Sequence, residues 1–274
     1  MLQLRAGLLG LCASVLFTLP AAAADRDKIQ AFMSVTGFDV ALHSLRVSAK
    51  NAPAMLGIEA EAFGTSWTRL ADDLFEPKGL ESDALDILEQ TLSDDVLAHA
   101  AGFYASDLGQ RLVEAENESH FADDEMKDAR GQELAAALME RDSTQIQDYI
   151  EMSEAIGSVD HSIAAYQEVQ VRFIMAAAAS GVIEMRFSEE ELRQLLAQDN
   201  DEIKEAIRVS SLAANAYTYR DFTDEEVRAY TDALKTPEMK EVYELMNAVT
   251  YAIMADRYEE MATRMAELHP SQEL

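Results

Sequence analysis

LSDDVLAHAAGFYASDLGQRLVEAE, Leu92–Glu116, reads as two helices joined by a tight corner, and a stretch of the same build returns 130 positions later as FTDEEVRAYTDALKTPEMKEVYELM, Phe222–Met246. Ser93 aligns with Thr223, Asp94 with Asp224, Leu97 with Val227, Ser106 with Thr236, Leu112 with Val242 and Glu114 with Glu244. Ser93 and Thr223 are suited to cap the first helix, and the acids behind them complement its positive N-terminus. Ser106 and Thr236 recap the chain 13 residues later, with Pro237 at the first helical position, where proline is tolerated. The pattern predicts an all-α fold, a multi-helix bundle of two related helical-hairpin halves that ends in one long helix.

Working outward, nearly everything past residue 24 keeps a helical period, with few Gly, Pro or alternating runs. The expected helices are Asp25–Thr36, Phe38–Lys50, Glu59–Phe75 and Asp83–Thr91 before the first copy, with corners at Pro53/Gly57 and Pro77/Gly79. Between the copies they are Glu133–Arg141, Thr144–Ile156, Asp160–Val182, Glu189–Gln198 and Asp201–Arg220. Glu118–Gln132 is the most polar window. The expected organisation is an N-terminal half over 25–119, a polar linker with connecting helices over 120–157, and a C-terminal half over 158–274. Phe173–Ile183 is too short to span a bilayer, and its small residues mark it as a core helix of the second half. Glu238–Leu268, free of Gly and Pro, predicts the long final helix.

Met1–Ala24 has the layout of a cleaved secretion signal: Arg5, a short apolar core over Ala6–Leu19, Pro20, then Ala22-Ala23-Ala24 before Asp25. A periplasmic location is expected. Leu11 before Cys12 suits a lipoprotein signal poorly. Cys12 is the one cysteine, so the mature chain is expected to hold together without disulfides or thiol chemistry. The whole chain carries a formal charge of −29; without Arg5, 21 basic residues stand against 51 acidic ones, or −30. Such a field repels phosphate backbones, which argues against nucleic-acid binding, and attracts basic proteins and cations.

Motifs that carry chemistry are sparse. None of the five histidines begins an H-E-x-x-H, and none ends the Glu-x-x-His of a bundle di-iron site. No G-x-S-x-G, P-loop or G-x-G-x-x-G occurs. Asp39/His43, Asp95/His99 and Glu116/His120 are spaced for ion pairing along a helix surface. Met239, Met246, Met254, Met261 and Met265 share one face of the last helix with Tyr243, Tyr251 and Tyr258, a stripe about 140° wide at 100° per residue. That face is read in three ways. It can be core, since methionine fills gaps. It can be a groove for an apolar ligand or peptide, with Tyr104, Met246, Tyr251, Met254 and Tyr258 as contacts. It can be a Cu(I) site at Met261, Met265 and His269.

At Phe103-Tyr104-Ala105-Ser106-Asp107-Leu108-Gly109-Gln110-Arg111-Leu112-Val113 the chain resembles the bacterial domain-of-unknown-function family numbered twenty fifty-nine, whose members are exported, helical and without an assigned activity. The family's pattern is an acid-rich helix start, Phe-Tyr, a Ser/Thr-Pro-x-Gly corner and a basic-apolar helix. Phe103-Tyr104 and Gly109 match it, while Asp107 stands in place of the proline. The resemblance implies an envelope location and an all-α fold, and transfers no catalytic residue. The acidic field and the Met/Tyr face instead carry the expected function, non-enzymatic binding, chaperone- or adaptor-like, without a cofactor. The partner would be a basic or unfolded envelope protein, a peptide or an apolar ligand. Copper handling is the alternative, and the mature chain is not expected to span a membrane.

Overall fold

Gly37 turns the first corner because its backbone is left-handed (φ 72°), a conformation that L side chains resist. It separates α1 (Arg26–Thr36), capped by the Asp25 side chain, from α2 (Phe38–Lys50). The computed structural model describes residues 25–157 and 159–268, so the expected signal segment and His269 lie outside the described residues. The helix expected over Glu59–Phe75 is divided. Gly64, at φ 57° and ψ −147°, splits a short 3-10 turn (Ala60–Phe63) from α3 (Thr65–Leu74). Pro77 opens α4 (Pro77–Thr91) instead of breaking the chain, since an N-terminal proline has no hydrogen bond to lose.

The stretch Leu92–Glu116 enters α5 (Asp94–Tyr104) and α6 (Asp107–Phe121), and Phe222–Met246 enters α12 (Asp224–Leu234) and the start of α13 (Pro237–Met265). Ser93, Thr223, Ser106 and Thr236 each cap their helix by accepting a hydrogen bond from a backbone N–H three residues on. At the α5–α6 corner a Cβ on Gly109 would overlap the Phe103 carbonyl and stand 2.6 Å from Tyr104 Cα, so only glycine fits.

The polar window is mostly helix. α7 (Asp124–Glu140) begins nine residues before the expected Glu133, because Asp123 caps it and the polar side chains line its solvent face. α8 (Gln145–Ala155), α9 (Val159–Ala179), α10 (Glu189–Ala197) and α11 (Asn200–Thr218) complete the chain. Among the described residues there is no strand, and no helix is long and apolar enough to cross a membrane.

α13 is the central pillar, 29 residues and about 45 Å long. It packs along α9 and against α5, α4, α3 and α2, while α7 lies against α11 and α8 against α12. Tyr258 shows the joinery. Its ring meets Phe75, after α3, edge-on at 5.5 Å and Phe173 of α9 at 5.8 Å. One contiguous apolar cluster runs from Ile29 to Met265 and draws on both ends of the chain.

Candidate functional site

The Met/Tyr face of α13 is interior. Met261, Met265 and Tyr258 are buried, and Met246, Tyr251 and Met254 are partly buried against the same core. Tyr104 is buried as well. None of the expected groove contacts is among the residues that line the cavity between α8 and α11. The stripe faces inward because neighbouring helices cover that side of α13, while Glu241, Glu244, Ala248, Ala252, Asp256 and Glu260 keep the opposite side in solvent. The thioethers of Met261 and Met265 are likewise enclosed in packing. Among the described residues no three His, Cys, Asp or Glu side chains converge as a metal set.

Tyr104 instead joins a hydroxyl cluster. Its oxygen lies 3.0 Å from that of Tyr230 and 2.6 Å from that of Tyr243, and these two are 3.0 Å apart. The Tyr230 and Tyr219 hydroxyls lie 2.8 and 2.7 Å from Glu116 Oε1. Five elements supply the members: α5, α6, the end of α11, α12 and α13. Burial pushes all four phenols above their ordinary value and raises the Glu116 carboxyl. The expected Glu116/His120 pairing is therefore replaced by a tie across the bundle. The other two acid–histidine pairs are also redirected. His43 Nε2 lies 2.7 Å from Glu81, and His99 Nε2 3.2 Å from the Thr236 hydroxyl. One local signal marked Glu116: it follows Gly109, Leu112 and Val113 on the buried face of α6, where an acid is out of place.

An open site lies elsewhere, between α8 and α11, with the end of α7 and the start of α9 as its ends. It is a groove of about 620 Å³, within the range of small-ligand sites. Its apolar lining includes Met139, Ile150, Val159, Val209 and Leu212. Three of these are well exposed: Met139 at 51%, Ile150 at 43% and Val209 at 52%. Asn215 Nδ2 bridges the helices at one end, 3.3 Å from both the Tyr149 carbonyl and Ser153 Oγ. Lys204 Nζ closes the other end on Asp160, at 2.7 and 2.9 Å. Arg208 faces Glu205 at 3.7 Å, whereas Glu154 has no cation within 4 Å among the described residues. The rim thus keeps a surplus negative charge. Periodicity predicts helices over Thr144–Ile156 and Asp201–Arg220 but says nothing on which of their faces meet, which is why the groove was not foreseen.

The fold thus defines the class: an all-α multi-helix bundle with a hydroxyl–carboxyl cluster inside and an apolar groove on its surface. Residues 78–137 match a family model described as "Uncharacterized protein conserved in bacteria (DUF2059)". The match runs from α4 into α7, and so takes in Tyr104, Gly109 and Glu116 but none of the groove lining. No curated protein and no solved structure matches the chain.

Proposed function

We propose that this protein is a non-enzymatic binding module that takes an apolar, basic-flanked peptide segment into the α8–α11 groove. The observation that carries the reading is the convergence of Met139, Ile150 and Val209, all exposed, on one concave surface. Exposed apolar side chains scattered singly are ordinary, but their gathering around a cleft is not. Glu154, without a cation partner among the described residues, and the chain's formal charge of −29 select for a basic residue beside the apolar ones. The periplasmic location suggested by Met1–Ala24, and the organisation into two related halves suggested by the matching caps at Ser93/Thr223 and Ser106/Thr236, belong to the same reading. A periplasmic module of this kind would meet unfolded or basic envelope proteins.

A fluorescein-labelled amphipathic peptide with one lysine flank, titrated with the protein and followed by anisotropy, tests the groove. Ile150→Asp and Val209→Asp put charge where the apolar contact would form, and each should weaken binding about tenfold or more. Both sites are exposed, so the variants should melt like the parent. Unchanged affinity in both variants would remove the groove as the site.

A further inference from the structure

The Glu116 cluster contains five oxygen–oxygen contacts within hydrogen-bond distance: Tyr219–Glu116, Tyr230–Glu116, Tyr104–Tyr230, Tyr104–Tyr243 and Tyr230–Tyr243. Each phenol has one hydrogen to donate. Four tyrosines facing an ionised carboxylate therefore bring four hydrogens to five contacts, and one pair of oxygens must meet lone pair to lone pair. A fifth hydrogen completes the set without moving an atom. If Glu116 Oε1 donates to Tyr230 and accepts from Tyr219, Tyr230 is released to donate to Tyr104. Tyr104 then donates to Tyr243, and Tyr243 back to Tyr230.

We propose that Glu116 binds a proton in the folded protein and that the hydrogen it supplies closes a proton-linked tie between the α5–α6 corner and the α11, α12 and α13 helices. The surroundings suit a neutral carboxyl. From α5, α11, α12 and α13 the groups that face it are the hydroxyls of Tyr104, Tyr219, Tyr230 and Tyr243, and Tyr149 of α8 stands behind Tyr219 with ring centres 6.1 Å apart. Among the described residues no Lys, Arg or His nitrogen lies within 4 Å of it; Arg111, on the same helix, is engaged by Glu226.

The direction of the linkage follows. A carboxyl that titrates higher folded than unfolded contributes stability that is fully present below the unfolded glutamate value, about 4.3. That contribution is lost as pH rises through the folded value. The tie is therefore tight in acid and slackens toward alkaline pH.

Two tyrosines separate this hydrogen count from simple burial. Tyr243→Phe removes two contacts and one hydrogen, leaving three contacts and three hydrogens, so the carboxylate is satisfied without a proton. Tyr219→Phe removes one contact and one hydrogen, leaving four contacts and three hydrogens, so the proton is still needed. Glutamate-selective ¹³C labelling of the full chain reads the Glu116 carboxyl through a pH titration, with Glu116→Gln assigning the resonance. Glutamate labelling also leaves out Asp148, the other carboxyl raised by burial. The expected result is a midpoint above the ordinary glutamate value, lowered by about one pH unit or more in Tyr243→Phe and unchanged or raised in Tyr219→Phe. A wild-type midpoint at or below the ordinary value, or equal downward shifts in the two variants, overturns the proposal. If Glu116→Gln does not fold, the displaced resonance and its opposite response in the two tyrosine variants decide the matter alone.

Discussion

Asp148 has no exposed surface, and the guanidinium of Arg228 approaches one of its oxygens to 2.7 Å. Neither carboxylate oxygen has a well-aligned hydrogen bond, so the contact is an ion pair held by charge. Burial raises this carboxyl, and Arg228 opposes the rise. Removing the cation by Arg228→Ala leaves the buried charge uncompensated. Because Arg228 is itself 43% exposed and partly screened by water, the cost should fall below that of a fully buried pair, at about 2 kcal/mol in urea melts at neutral pH. The deficit should shrink as pH falls and Asp148 takes up a proton, since the raised folded value makes protonation the favoured escape. Asp148→Asn in the same background should recover most of the loss. A deficit that stays constant down to pH 4 would show that Arg228 contributes packing instead of charge.

α7 and α11 lie close enough that a Cβ on Gly131 would overlap the Ala213 carbonyl and stand 2.7 Å from its carbon. Replacing a helical glycine by alanine ordinarily gains up to about 1 kcal/mol through helix propensity. Here the sign should reverse, because the clash is with rigid backbone, and Gly131→Ala should destabilise by about 1–2 kcal/mol in thermal or urea unfolding. The α7–α11 spacing also sets one end of the groove at Met139, so peptide affinity should fall in the same variant. What could be read from sequence follows the same division between local and distant contacts. The caps at Ser93, Ser106, Thr223 and Thr236 were legible because a cap is decided within three residues of itself. Gly109 was legible because a corner is local too. The α4 start was misread because Pro77 looks the same opening a helix as ending one. The tyrosine–Glu116 cluster was illegible for another reason. Its contacts from Glu116 reach across 103 and 114 residues, and nothing in helical periodicity says which buried faces meet.

Whether the chain behaves as one body or two turns on α13. It starts within Phe222–Met246, yet its buried side chains belong to the same apolar cluster as Trp67, Phe75 and Leu80 near the other end of the chain. Ion pairs reinforce the same joint: Arg257 binds Asp83 of α4, and Arg264 reaches Asp73 of α3 at 3.1 Å. An α13 pinned on both sides cannot leave one set of helices without exposing apolar surface on the other, at roughly 25 cal/mol per Å². Chains beyond about 150 residues often unfold in steps, so a single transition is not the default. The shared pillar makes it the expectation here. Trp67, the one tryptophan, reports on the N-terminal helices by fluorescence, while far-ultraviolet circular dichroism reports on all of them. In urea the two signals should trace the same midpoint and slope. If the dichroism instead shows an earlier loss while Trp67 stays buried, α7, α8 and α11 melt by themselves, and the groove that they line is then the least stable part of the molecule.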